Sequence, residues 1–365
     1  MSAVPANSNL FRSDVQVIGL VGVAHGTSHF FHLILASLFP WLKVAFGLSY
    51  AELGFLMTVF FIVSGIGQFL AGFIVDRYGA LRVLFGGMAL LGLSALGLAA
   101  SESYASLLFF SGVAGLGNSI FHPSDFTILN RRVSLPRLAH AFSWHGIAGS
   151  IGWAAAPPVL AGLAIIYSWQ IALLFGAVLA FAVLALLVVN RERLDTREIE
   201  AAVIKTNRRE GAATNVDFMK LPAVWLCFGF FGFTAMALGV IQSFTPAALN
   251  ASYGVALALG AVCVTAYMLA NAAGTLAGGF LAAKVAQHDR IIGAALGAAA
   301  LIAAIIATGM VPTALLVFFF ALMGFGAGVA GPSRDLLVRA AAPKNATGRV
   351  YGVVYSGLDA GLAIA

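Results

Sequence analysis

The stretch GLGNSIFHPSDFTIL, from Gly115 to Leu129, returns in altered form as GFGAGVAGPSRDLLV, from Gly324 to Val338. Gly115, Gly117, Pro123 and Ser124 meet Gly324, Gly326, Pro332 and Ser333 at one constant offset. Weaker echoes lie at nearly the same spacing, AGF at Ala71 to Phe73 against GGF at Gly278 to Phe280, and His145-Gly146 against Ser356-Gly357. A repeat of this length reads as two homologous halves of one architecture.

The surroundings of the repeat say what kind of halves these are. Of 365 residues, 61% are hydrophobic and 9% charged, against about 25% charged in a soluble domain. A mean hydropathy of +0.97 fits an integral membrane protein and excludes disordered, coiled-coil and disulfide-scaffold classes. Eleven apolar windows, each long enough to cross about 30 Å of hydrocarbon as a helix, fall near 15–38, 50–75, 82–100, 105–129, 138–165, 169–189, 221–248, 255–283, 290–309, 312–333 and 347 to the end. The one long polar stretch, Arg191 to Lys220, divides them, so the expected organisation is a bundle over 1–190, a loop over 191–220 and a second bundle over 221–365. Adding the repeat length to the sixth window places a twelfth helix near about residue 400. The last helix and a half are therefore expected to be missing from this chain.

The charges orient the bundle. With the N-terminus inside, all but Lys43 of the 20 lysines and arginines fall on the inner face, as expected for loops on the cytoplasmic side of a cell (inner) membrane. That topology accounts for the net charge of +6 without a nucleic-acid partner. Cys227 and Cys263 lie in separate apolar windows and suggest neither a disulfide nor a zinc site. The glycine runs lack the GK[ST] of a phosphate loop and read as small-residue helix seams. No Ser-His-Asp, Cys-His or zinc-hydrolase pattern stands on a plausible framework, so no enzyme and no cofactor is expected.

In the loop after the second window, GFIVDRYGALR sets Gly72, Asp76, Arg77, Gly79 and Arg82 at spacings that resemble the Gly-x3-Asp-Arg-x-Gly-Arg-Arg motif of the major facilitator superfamily of secondary transporters. Ala80 and Leu81 depart from it. The second copy, GGFLAAKVAQHDR from Gly278, is degenerate, with Ala283 in place of the acid and Lys284 keeping the basic position. Within the superfamily, GLGNSIFHP (Gly115 to Pro123), AHGTSHFFHLILASLFP (Ala24 to Pro40) and FGLSYAELGFLMTVF (Phe46 to Phe60) are similar to the fosmidomycin-resistance-like branch. The resemblance implies an all-α polytopic fold of two six-helix bundles around a central cavity, lined by the first, fourth, seventh and tenth helices, that alternates between inward-open and outward-open states. It also implies a cytoplasmic gating role for Asp76, Arg77 and Arg82; the plain alternative is a positive-inside turn. GIAGSIGWAAAPP, from Gly146, resembles the superfamily's antiporter motif in its glycines and proline but departs in spacing, so direction stays open.

Polar residues inside apolar spans are functional candidates by default. His25, His29 and His32 fall at i, i+4 and i+7, one stripe of the first helix, with His25 nearest the midplane and His32 nearest the outer rim. Three readings compete: hydrogen bonding between helices, proton loading near the reference pKa of about 6.5, and transition-metal binding. Aligning Pro40 with Pro246 puts Phe231, Ala235 and Leu238 at the three histidine positions of the second bundle, so the fold does not require them. A role for His25 or His29 in proton coupling is adopted, with no metal assigned. His122, a further proton-coupling or cavity candidate, shares a face of the fourth helix with Asp125. Counted along that helix, Asp125 falls near the inner surface, where Arg334, its repeat equivalent, could latch the bundles; Arg137 and Arg349 are alternative partners, and ordinary surface pairing is the bland reading. In the second bundle Gln242 is a cavity candidate, Asn271 a packing residue beside Tyr267, and Asp359 a second proton site. The expected protein is a monomeric carrier in the lipid bilayer that moves a small-molecule substrate, a small organic solute, together with protons. Drug or metabolite efflux is favoured over organic-anion uptake, and a non-transporting membrane sensor is the reading from another class.

Overall fold

The computed structural model describes residues 8–196, 217–342 and 347–364. Among these every regular element is helical: α1 (Ser8–His32), a short α2 (Phe39–Phe46), α3 (Tyr50–Tyr78), α4 (Ala80–Ala99), α5 (Tyr104–Asn118), α6 (Phe121–Arg132), α7 (Leu135–Ile166), α8 (Trp169–Val189), a single turn α9 (Arg191–Leu194), α10 (Pro222–Tyr253), α11 (Leu257–Lys284), α12 (His288–Ala307), α13 (Leu316–Ala341) and α14 (Thr347–Ile364). Nine of the described helices are long and apolar enough to cross a membrane, or up to ten when α1 and the segment Ala36–Phe46, bent by 45°, count as one span. This is an all-α multi-pass architecture.

Local chemistry sets several ends. Ser49 and Glu52 form a reciprocal capping box at the start of α3, an arrangement worth about 1 kcal/mol. Gly79 joins α3 to α4 with φ +89°, a conformation that side chains rarely adopt, which explains the glycine of the DRYG stretch. Asp14 is fully buried, receiving Arg137 Nε at 2.7 Å and the Ser134 hydroxyl at 2.5 Å, and so ties α1 to the start of α7.

The repeat is visible in how the glycines pack. A methyl group on Gly115 would overlap the Phe60 carbonyl oxygen, and one on Gly324 would overlap that of Tyr267. Gly152 is held in the same way against Gly26, and Gly361 against Gly232. Corresponding glycines thus bring corresponding helices into backbone contact in both halves, the small-residue packing that membrane helices use.

Two of the contacts that join the halves lie toward the end that carries the basic loops. In one, α14 lies along α3, with Gly348 against Gly72 and Gly352 against the Gln68 carbonyl. In the other, α7 lies along α11, where the Ser143 hydroxyl donates to the Thr275 carbonyl at 2.8 Å.

Two expectations change. The first helix starts at Ser8, ahead of the expected 15, and ends at His32; the fourth span is broken between Asn118 and Phe121. Of the loop expected over 191–220, residues 197–216 lie outside the described residues.

Candidate functional site

The stripe on α1 does not stand alone. Its small-residue neighbours, Gly26 against α7 and Gly149 against the rings of His25 and His29, bring α1, α6 and α7 close enough for their histidines to meet. His25 stacks on His145 with ring centroids 3.5 Å apart, and its ring is 4.3 Å from His29 and 5.2 Å from His122. Asp125, fully buried, receives His25 Nδ1 at 3.1 Å and His145 Nε2 at 3.2 Å, both on Oδ2. Asp125 Oδ1 and both nitrogens of His29 are buried without a side-chain hydrogen-bond partner among the described residues.

His32 and His122 have their tautomers set by their neighbours. His32 accepts the Trp153 indole N–H on Nδ1 at 3.1 Å, so its Nε2 carries the hydrogen donated to Asn118 Oδ1 at 3.0 Å; Asn118 in turn donates to Ser64. His122 donates from Nδ1 to Gln68 Oε1 at 2.7 Å, and Gln68 Nε2 donates to Asp359 Oδ2 at 3.0 Å. The polar chain therefore runs from α6 through α3 to α14 and crosses from one half to the other.

Beside this cluster lies a cavity of about 900 Å³ in the half of the molecule away from the basic loops, walled by Met57, Phe61, Trp153, Gln242 and Met268. His32 lines it. A second chamber of about 460 Å³ shares Trp153 and Leu238 with the first and adds Phe231, Tyr267, Asn271, Arg334 and Asp335. Below them Tyr355 packs against His122 and Phe231, each with centroids 4.4 Å away, while Tyr351 stacks on Phe126 at 4.4 Å. At the basic end Asp76 receives the Gly348 amide at 3.0 Å, the Arg349 amide at 3.3 Å and Arg349 Nε at 2.8 Å.

Several expected positions move. Asp125 does not meet Arg334, Arg137 or Arg349: it lies with the histidines, while Arg334 pairs with Asp335 at 2.9 Å and rests over the Phe231 ring, Arg137 pairs with Asp14, and Arg349 with Asp76. The depth count misplaced Asp125 because α6 runs on to Arg132, about 10 Å beyond it at 1.5 Å per residue. His32, expected to matter least, is the stripe histidine on the cavity wall, with His25 and His29 one layer behind. Asp76 crosses to the other half, whereas Arg77 is exposed against Tyr78 and Arg82 lines a surface pocket with Arg191 and Glu192. Gln242 and Asn271 both border the cavity, and Asn271 also donates to the Gly324 carbonyl at 3.3 Å. Gln68, Asn118 and Trp153 went unnamed in the sequence; the first two carried the same signal as the histidines, polar side chains within apolar runs, and Trp153 carried none.

Comparison with known proteins agrees with the all-α multi-pass fold. The family described as Major Facilitator Superfamily matches residues 21–365. The fosmidomycin resistance protein of Escherichia coli is 23% identical over 304 residues, 82% of this chain and 73% of that protein. A probable L-galactonate transporter of Escherichia coli is 23% identical over 250 residues, 64% of this chain and 54% of that protein. A solved proton:xylose symporter bound to 6-bromo-6-deoxy-D-glucose superposes with a TM-score of 0.74 at 15% identity, covering 98% of this chain and 87% of its own.

Proposed function

The chain belongs to the Major Facilitator Superfamily, and we propose that it carries a small organic solute across a cell membrane by alternating access, driven by protons. One observation carries this reading. The two halves meet at the basic end through Asp76 and Arg349, and stand apart at the other end around the 900 Å³ cavity. A seam closed at one end and parted at the other is what a rocking carrier requires in one of its two end states. With the basic loops cytoplasmic, that state is outward-facing.

Proton coupling is supported by Asp125 between His25 and His145. A carboxylate and two imidazoles in hydrogen-bond contact can take up or release a proton with small movements, and the neighbouring ring of His122, 5.2 Å from that of His25, begins the polar chain through Gln68 and Asp359 to the seam between the halves. The apolar, aromatic cavity favours an organic solute with a sizeable apolar face, and efflux is the preferred direction, in keeping with a relative named for fosmidomycin resistance. Uptake of an organic anion is the second reading, favoured by Arg334 on the cavity wall and by relatives named as L-galactonate and hexuronate transporters.

The test is a thermal-stability screen of the purified protein against drugs, organic acids and sugars, since a ligand of the folded state raises apparent stability. The best stabiliser is then followed in proteoliposomes. Flux that responds to an imposed pH step supports the proposal, and flux indifferent to the step overturns proton coupling.

A further inference from the structure

We propose that His25, His29 and His122 form a binding site for a divalent first-row transition-metal ion, with Asp125 and Gln68 as its outer partners. The inference rests on the geometry of this cluster and not on the transport reading.

One ligand atom from each of the three histidines lies within 4.8 Å of the others. The edge of a tetrahedral zinc polyhedron with bonds of about 2.0 to 2.1 Å is about 3.3 Å, so modest rotations of the side chains complete the set. The hydrogen bonds around the trio are those that prepare imidazoles for a metal. Ligating histidines commonly donate their second ring N–H to a carboxylate or carbonyl oxygen, which fixes the tautomer and aims the other lone pair inward. His25 does this from Nδ1 to Asp125 Oδ2, and His122 does it from Nδ1 to Gln68 Oε1. Each keeps Nε2 as a ligand.

His29 is the third observation. It is 9% exposed, and neither nitrogen has a side-chain hydrogen-bond partner among the described residues, the backbone at Gly149 being its polar neighbour. A neutral imidazole has one donor and one acceptor to satisfy; the Gly149 backbone can take the donor, and leaving the acceptor unmade inside a protein is unfavourable. An ion shared with His25 and His122 satisfies the acceptor directly. The Asp125 carboxylate, one bond away through His25, places negative charge beside the ion.

The chemistry of the donors selects the ion class. Three neutral nitrogens suit Zn²⁺, Co²⁺, Ni²⁺ or Cu²⁺ and do not suit Mg²⁺ or Ca²⁺, which prefer oxygen. Three protein ligands leave a fourth position for water or solute. The His29 ring centroid is 4.4 Å from that of Trp153, a wall residue of both chambers, so the ion would sit one side chain away from the cavity.

The test is a Co²⁺ titration of the purified, tag-free protein in detergent, read by visible absorption, with X-ray absorption at the cobalt edge to count imidazoles. One equivalent per chain with three imidazole ligands is expected. Binding should weaken by at least about tenfold in His29→Ala and in His122→Ala, and by about 10- to 100-fold in Gln68→Leu, which keeps all three ligands and removes the partner of His122 Nδ1 together with the hydrogen bond to Asp359. His140→Ala, whose ring packs on Phe280, should bind as the wild type does. Wild-type binding no tighter than that of a His29→Ala, His122→Ala double variant overturns the proposal. So does a cobalt spectrum with fewer than three imidazoles, a result that needs no variant to fold.

Discussion

Asp76 and Arg349, separated by 273 residues in the chain, meet at 2.8 Å, and the same carboxylate also receives the backbone amides of Gly348 and Arg349. Asp76→Asn removes the charge, and Arg349→Ala removes one of the three donors. A partly buried charged hydrogen bond of this kind contributes about 1.5 to 3 kcal/mol, so either change should shift the balance between the two end states by roughly tenfold to a hundredfold. Labelling of a cysteine placed at Ser143, on the closed seam, should quicken accordingly. The exchange Asp76→Arg with Arg349→Asp should restore only part of the closure, because an arginine cannot accept the two amides.

Asp125→Asn separates coupling from binding. In proteoliposomes, solute exchange at equal pH should persist in this variant, while transport driven by a pH step should fall to the level seen without one. Loss of both activities would place Asp125 in the solute site, and loss of neither would remove it from the coupling machinery.

The glycine seams predict stability. Gly324→Ala and Gly115→Ala push a methyl group into a facing carbonyl oxygen and should each destabilise by about 1 to 3 kcal/mol. Gly229→Ala, with open space around the new carbon, should be neutral or slightly stabilising. Thermal unfolding of the three variants checks this, and equal effects at all three sites would refute the seam argument.

Trp153→Phe keeps the ring on the cavity wall and removes the donor to His32. The loss should be about 0.5 to 1.5 kcal/mol in stability, with a weaker thermal shift from any solute that occupies the chambers. Arg334→Gln tests the second reading of the substrate. It should weaken binding of an organic anion by tenfold or more while leaving a neutral solute within about threefold.

Much of this was legible in the residues. The apolar windows give the helices, the basic loops give one face, and the offset between Gly115 and Gly324 reports a pairing that the packing of Phe60 and Tyr267 repeats in both halves. The stripe at His25, His29 and His32 followed from helical periodicity alone. Its partners did not, because periodicity says which residues share a face and is silent on what the face meets. His145 stands on another helix and no spacing pairs it with the stripe, yet it stacks on His25. Asp125 was placed by counting along one helix, and the count failed because α6 extends beyond the expected end. The chain from His122 to Asp359 needs Gln68 from a third helix, and no spacing in the sequence connects those three residues.

The seam between α3 and α14 has a kinetic consequence. Gly72 faces Gly348, and Gly352 faces the Gln68 carbonyl, so along this line backbone meets backbone. Surfaces that mesh through long side chains must unlock one rotamer after another before they part. Surfaces of this kind have no teeth. Once the Asp76 clasp is released, few interlocked side chains along this line hold the two helices together, and the clasp and the polar chain at Gln68 become the main polar barriers to their separation.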